Sequence, residues 1–95
     1  MVFSKKIRPL VTSGEVTASV RIWKKPHVKP GGKYNVDGGY IKVTSIREIA
    51  WEDLSDELAR DTGFRNLADL LKTAKHGNGQ IIYYVKFRYY DYPVS

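Results

Sequence analysis

Hydrophobic and polar residues alternate along two long stretches of the chain, residues 16–25 and residues 80–90. A period of two predicts β-strands, because successive side chains of a strand point to opposite faces. One side of each stretch is apolar, and we expect that side to face the core. These residues are Val16, Ala18, Val20 and Ile22 in the first stretch and Ile81, Tyr83, Val85, Phe87 and Tyr89 in the second.

A β-hairpin is predicted in the part of the sequence that lies between these two strands. Residues 37–39, Asp-Gly-Gly, are typical of a tight hairpin turn, since glycine adopts positive φ without a steric penalty. The turn joins a short strand over residues 33–36 to a longer strand over residues 40–49, and a Pro-Gly-Gly turn precedes the pair. The inward side of the longer strand is expected to carry Ile41, Val43 and Ile49.

The spacing of apolar residues becomes helical in the second half of the chain. A first short helix is predicted from Ser55 to Gly63, since glycine suits the left-handed position that ends a helix. A second helix begins at Asn66, whose side chain can cap it, with Asp69 in the capping-box position. It ends before the glycine-rich break at residues 76–79.

These elements indicate an α+β fold. A short strand at Phe3 and a short helix over residues 5–13 come before the strands and helices described above. Five to six short strands can bury one face only by curling, so we predict a small mixed β-barrel with two to three short helices. A chain of 95 residues is the length of one domain, and we expect a single domain over residues 1–95.

The net charge of +6 is concentrated in one half of the chain. Residues 1–47 carry ten basic and two acidic side chains, whereas residues 48–95 carry six and eight. Such a split predicts a surface with a positive side that attracts polyanions, and nucleic acid is the polyanion that this charge favours. The alternative is a solvated basic face without a ligand.

Several classes of site are excluded by composition. The chain has no cysteine, which excludes disulfides, thiolate-bound zinc, iron–sulfur clusters and thiol catalysis. No glycine-rich nucleotide motif opens a helix, and neither His27 nor His76 has a partner at metal-ligand spacing, so we expect no cofactor and no metal. The N-terminus lacks a secretory signal and no apolar run approaches the ~20 residues of a membrane span, so we expect a cytoplasmic protein.

The polar side of the first strand is the most informative group of residues. Arg21 can hold a phosphate through two hydrogen bonds, and Trp23 offers a plane on which a base can stack. Lys86 and Arg88 alternate with tyrosines on the last strand in a similar way. In the alternative interpretation, the first strand is an ordinary amphipathic strand whose Trp23 covers a hydrophobic edge. The residues assigned to nucleic-acid contacts are Thr17, Ser19, Arg21, Trp23, Lys24, Lys25, Lys33, Lys86 and Arg88.

The order of motifs resembles an ASCH domain over nearly the whole chain. Residues 14–21, Gly-Glu-Val-Thr-Ala-Ser-Val-Arg, are followed by a basic loop, two strands, a helix ending in Gly-Phe at residues 63–64, a Leu-rich helix and a Tyr-Val-Lys-Phe strand. ASCH domains have the PUA-like fold, a small pseudo-barrel with helices at its ends, and are regarded as RNA-binding or RNA-processing modules. The family pattern Gly-x-Lys-Thr-x-Thr-x-Arg is matched at Thr17 and Arg21, and Ser19 is a conservative replacement.

One bacterial branch of that family hydrolyses the acetyl amide of N4-acetylcytidine with a lysine, a threonine and a glutamate. The resemblance places Val16 at the lysine, Ser19 at the threonine, and Thr62 or, with a shift of one residue, Asp61 at the glutamate. A hydroxyl nucleophile needs activation by a neighbouring base or charge, and valine provides neither. Hydrolysis by Ser19 and Asp61 is therefore the alternative rather than the main interpretation.

The sequence thus predicts a module that binds RNA or a modified nucleoside in a basic, polar cleft beside residues 16–25. Its first alternative is a hydrolase acting on modified cytidine or RNA. A second alternative is a protein-interaction module, in which the aromatic side chains of Trp23, Tyr84 and Tyr90 form the partner surface. We expect a monomer.

Overall fold

The structure, a computed structural model, describes residues 1–74 and 79–94. Within these residues it is an α+β fold, as the sequence predicts, and it has three α-helices and four β-strands. The predicted glycine-rich break falls largely on residues 76–78, which lie outside the described part of the chain. In chain order the elements are α1 (Arg8–Thr12), β1 (Ala18–Trp23), β2 (Lys33–Val36), β3 (Gly39–Ile49), a 3-10 turn (Trp51–Asp53), α2 (Asp56–Asp61), α3 (Leu67–Ala74) and β4 (Ile81–Tyr90).

The four strands form one antiparallel sheet in the order β1-β4-β3-β2. The last strand of the chain is therefore central, and the sheet curls into a half-barrel whose edge strands β1 and β2 are not paired with each other. The prediction of a mixed barrel with five to six strands is wrong for the described residues. The segment at Phe3 forms no strand there, and its ring packs edge-on against Phe87 with 5.4 Å between ring centroids.

The predicted hairpin between β2 and β3 is confirmed. Asp37 and Gly38 both have positive φ, 46° and 83°, as a type I′ turn requires. Val36 pairs with Gly39 directly after the turn. A Cβ atom at Gly39 would collide with the carbonyl oxygen of Tyr90, so the close approach of β3 to the end of β4 also requires glycine at this position.

A β-bulge in β3 changes which of its side chains face inward. The register with β4 shifts between Val43 and Ser45, so that Ile46 faces the same side of the sheet as Val43. Ile41 and Val43 are fully buried on this side, as predicted. Ile49 pairs with Ile82 on the opposite side, where it packs under the helices, so its predicted inward position is wrong. The extra residue in the bulge inverts the alternation on which that prediction depended.

Both sides of β1 are covered, because the sheet has a hydrophobic layer on each face. On the inner face, α1 and the N-terminal segment pack against β3 and β4. On the outer face, α2 and α3 cover Val20, Ile22 and Ile82. The side of β1 that carries Ser19 and Trp23 was predicted to be polar and open. In the structure, Ser19 is only 8% exposed and Trp23 only 4%. None of the helices in the described residues has the length and apolar character needed to cross a membrane.

Side-chain caps are present at the start of α2 and α3. The cap at Asn66 is confirmed, but the predicted capping box is wrong, because the Asp69 carboxylate accepts from the backbone of Arg65 and not from that of Asn66. The Ser55 hydroxyl accepts a hydrogen bond from the backbone of Leu58 at 3.1 Å, and Asn66 accepts one from the backbone of Asp69 at 2.9 Å. The Asp69 carboxylate accepts from the backbone N–H of Arg65 at 3.0 Å and lies 3.7 Å from the Lys6 ammonium. The hydrogen bond from the Arg65 backbone, aided by the charges of Lys6 and Arg65, holds the pKa of this carboxyl below its ordinary value of 3.8.

Asp69→Asn is expected to lower the melting temperature at neutral pH, because the ionised carboxylate is stabilised by these donors in the folded state. A lowered folded-state pKa makes a stabilising contribution above pH 3.8 that is lost as the pH falls through the folded value. Thermal unfolding of wild type and variant from neutral to acid pH should therefore show curves that converge below about pH 4. Asp91→Asn, at an exposed carboxylate, is the control. A difference that stays constant into acid would contradict the assignment.

Candidate functional site

A pocket of about 430 Å³ lies along β1, between the N-terminal segment on one side and α2 and α3 on the other. Its volume is within the range of about 300–1,000 Å³ typical of small-molecule sites. The walls are largely apolar, and the polar groups come from the N-terminal segment, β1, the end of α2, and α3. The lining residues are Val2, Phe3, Ser4, Ile7, Ser19, Val20, Arg21, Thr62, Phe64, Lys72, Thr73 and Ala74.

Arg21 is the charged group that β1 contributes to this pocket. Its Nε donates a hydrogen bond to the Ser19 hydroxyl at 2.9 Å, and its guanidinium carbon lies 5.2 Å from the centre of the Phe3 ring. None of the ion pairs among residues 1–74 and 79–94 involves Arg21, and residues 75–78 contain no acidic side chain. The guanidinium is thus a half-buried cation with no carboxylate partner in the described structure.

Burial disfavours the charge of this guanidinium. Loss of contact with water lowers the pKa of Arg21 from its ordinary value to about 10. The group still carries its charge at neutral pH, and Lys72 adds a second cation to the pocket wall. Arg21 therefore carries its charge where water screens it poorly, the exposed Lys72 adds a second positive charge, and such a site favours an anionic ligand.

Hydroxyl groups line the pocket together with the two cations. The Thr62 hydroxyl, 1% exposed at the end of α2, donates to the backbone carbonyl oxygens of Ala59 and Leu58 at 3.0 and 3.2 Å. The Thr73 hydroxyl donates to the carbonyl oxygen of Leu70 at 3.2 Å. Ser19 differs, because its oxygen accepts from Arg21 and its proton has no acceptor within the described residues. Ser19 can therefore donate a hydrogen bond to a ligand that Arg21 holds.

The structure brings together some of the residues that the sequence assigns to a ligand and separates others. Ser19 and Arg21 line the pocket, and so does Thr62. Asp61 is exposed and is absent from the lining. Thr17 is exposed just before β1, and Lys24 and Lys25 are exposed just after it. Lys33, Lys86 and Arg88 lie on other strands of the sheet and are also exposed.

Trp23 does not line the pocket. Its ring stacks on His27, with 4.6 Å between ring centroids, and packs at 5.8 Å from Tyr83. The side chain belongs to the inner hydrophobic layer with Val28 and Val43. The alternative interpretation, in which Trp23 covers hydrophobic surface, describes this position, and a base cannot reach the buried ring without displacing its neighbours.

Comparisons of the chain with protein-family models, with curated proteins and with solved structures give no match. The resemblance to ASCH domains therefore depends on the motifs of the chain itself. In addition, residues 1–74 and 79–94 contain no group of three or more acidic or histidine side chains arranged to hold a metal ion.

Sequence reasoning missed the contribution of α3 to the site. Lys72 and Thr73 line the pocket, and neither is among the residues that the sequence assigns to ligand contacts. Phe3 and Phe64 form apolar walls that no local pattern connects to β1. This contribution depends on tertiary packing, which no local sequence pattern shows. Leu70 of α3 packs in one hydrophobic cluster with Val20 and Ile22 of β1, on the outer face of the sheet.

Proposed function

We propose that this chain is an RNA- or nucleotide-binding module of the ASCH type, with a PUA-like fold, and that the pocket along β1 holds an anionic, nucleotide-like group. The proposal depends mainly on the position of Arg21. A half-buried guanidinium without a carboxylate costs stability unless an anion binds to it. A phosphate supplies that anion, and arginine binds phosphate through two parallel hydrogen bonds.

Each wall of the pocket has a role in this proposal. Nε of Arg21 is held by Ser19, so the terminal nitrogens remain available to a phosphate or to the polar edge of a base. Lys72 supplies a second positive charge. Phe3 and Phe64 provide apolar surface for the flat face of a base or for a ribose. The combination of a few polar groups with apolar walls is what recognition of a nucleotide needs.

Binding is favoured over hydrolysis by the chemistry of the described lining. It offers hydroxyl groups but neither a carboxylate nor an imidazole, and among the described hydrogen bonds none joins Lys72 to Ser19. A serine hydroxyl is a weak nucleophile without a base in contact with it. Val16, which the resemblance places at the family's lysine, is 4% exposed in the hydrophobic core. His76 lies outside the described residues. A protein-interaction surface formed by Trp23 with Tyr84 and Tyr90 would need the buried Trp23 ring to be accessible.

Lys72→Gln is expected to weaken the binding of cytidine monophosphate and of a short single-stranded RNA by about tenfold, since a charge-assisted hydrogen bond contributes roughly 1.5–3 kcal/mol. Isothermal titration calorimetry at two salt concentrations measures the effect, and the affinity of the wild-type protein should fall as salt rises. Arg60→Gln, at an exposed cation that is absent from the pocket lining, is the control.

Two results would count against the proposal. The first is RNA affinity that does not change with salt or with Lys72→Gln. The second is efficient turnover of acetylated cytidine, followed by its absorbance, that is lost in Ser19→Ala, because that result would make the protein a hydrolase. The cytoplasmic location and the monomeric state belong to the same proposal and are tested by fractionation and by size-exclusion chromatography.

A further inference from the structure

Three cations lie directly opposite one another on the outer face of the sheet. Lys33 on β2 pairs with Lys42 on β3, and Lys42 pairs with Arg88 on β4. All three side chains are exposed. We call these three residues the cation row. Neighbouring strands are about 4.8 Å apart, so the row places three positive charges across roughly 10 Å of sheet.

Such an arrangement is unfavourable for the isolated protein. Like charges at directly opposed positions of a sheet destabilise the strand pairing. None of the ion pairs in residues 1–74 and 79–94 involves a member of the cation row. Lys33 has one favourable contact, with its ammonium 5.5 Å from the centre of the Tyr40 ring. Lys86 is exposed two residues before Arg88 on the same face, and it adds to the positive charge.

A cluster of tyrosines continues the cation row along the same face. Tyr40 and Tyr90 form the neighbouring cross-strand pair, and their rings stack with centroids 5.1 Å apart. Tyr92 packs against both rings, at 5.6 and 5.8 Å, and is 55% exposed. We call Tyr40, Tyr90 and Tyr92 the tyrosine cluster. Charge and aromatic surface thus lie side by side on the face of a sheet.

This surface is separate from the pocket. No member of the cation row or the tyrosine cluster lines the pocket, which lies on the opposite side of the central strand β4, along β1. On the outer face, α2 and α3 cover the end of the sheet at Ile22 and Ile82, whereas the cation row remains exposed. A ligand can therefore contact the cation row without entering the pocket.

We propose that the cation row and the tyrosine cluster form a second site, which binds the sugar-phosphate backbone of a single-stranded polynucleotide. The phosphates neutralise the opposed cations and thereby remove the repulsion between them. An unpaired base stacks on the exposed ring of Tyr92, since base–aromatic stacking is how single-stranded nucleic acid is recognised without regard to sequence. Contacts of this kind do not distinguish RNA from DNA.

The test measures binding of a labelled oligouridylate about twelve nucleotides long as a function of salt, by fluorescence anisotropy. The double variant Lys42→Gln with Arg88→Gln is compared with Lys5→Gln with Arg60→Gln, which removes the same types of charge from exposed positions elsewhere. The slope of log affinity against log salt should fall by about 1.4 in the first variant, because each neutralised phosphate of a single strand contributes about 0.7. The control should keep the wild-type slope.

Two further measurements separate this site from the pocket and from general attraction to polyanions. The row variant should bind cytidine monophosphate as the wild type does, and its melting temperature should be equal or higher because repulsion has been removed. Tyr92→Ala should weaken binding of the oligonucleotide but not of polyglutamate.

An unchanged salt slope, an equal loss in the control, or equal effects of Tyr92→Ala on both polymers would overturn the proposal, whether or not the pocket binds nucleotides. Deoxyuridylate of the same length should bind with similar affinity, and strict discrimination against it would also contradict a site that contacts only backbone and base faces.

Discussion

Arg21→Met is expected to raise the free energy of unfolding of the unliganded protein by about 1–3 kcal/mol and to weaken ligand binding about 100-fold. Methionine matches the unbranched stem of arginine and can pack against Phe3 without bringing a charge into the pocket wall. The wild-type guanidinium has no carboxylate partner in the described structure, so removal of its charge relieves a desolvation cost. The same change removes the donors that a phosphate would need.

The opposite signs of these two effects make the prediction specific. Urea unfolding gives the stability of the unliganded protein, and calorimetry with cytidine monophosphate gives the affinity. In Arg21→Lys, which keeps a charge but loses the forked geometry, the stability should change less and part of the affinity should remain. If Arg21→Met is less stable than wild type and binds the nucleotide equally well, then Arg21 is a structural residue and the pocket has no role in binding anions.

Trp23→Ala is expected to lower the free energy of unfolding by about 3–5 kcal/mol. The side chain is 4% exposed, and its removal would leave a cavity among Val28, Val43 and Tyr83 and end the stacking on His27. A loss of this size is a large part of the stability of a small domain. Chemical denaturation followed by circular dichroism measures it.

Two companion variants separate packing from ligand binding. Trp51→Ala removes the other tryptophan, which is 57% exposed, and should change the stability by no more than about 0.5 kcal/mol. Trp23→Phe should fold and bind the short RNA with wild-type affinity, because Trp23 is outside the pocket. A folded Trp23→Phe variant with the affinity of Arg21→Met would instead restore Trp23 as a base-stacking residue.

Elements that depend on local interactions were predictable from the sequence. The hairpin turn at Asp37 and Gly38 needs positive φ, and the caps at Ser55 and Asn66 need only the next turn of their helices. The strands follow from the alternation of side chains. These patterns involve residues within a few positions of one another, so they can be recognised in the sequence without knowledge of the tertiary packing.

The features that were missed depend on packing between distant segments. One inserted residue in the bulge at residues 43–45 inverts the faces of the rest of β3, and alternation alone could not place Ile49. Trp23 lies on the side of β1 that carries Arg21, yet the inner core encloses it. The cation row joins Arg88, from the acidic half of the sequence, to two lysines of the basic half. The distribution of charge along the sequence therefore does not give the distribution of charge on the folded surface.

The central position of β4 has a consequence for the order in which the nascent chain folds. The β2–β3 hairpin has contacts of short sequence separation and can form early, because loop closure there costs little entropy. In the described sheet β1 pairs only with β4. Ala18 therefore cannot form its strand pair until Lys86, 68 residues later in the chain, has been synthesised. The strand that carries Arg21 thus joins the sheet only after β4, the last strand, has been made. The proposed nucleotide ligand would therefore stabilise the finished domain and not the earlier stages of its folding.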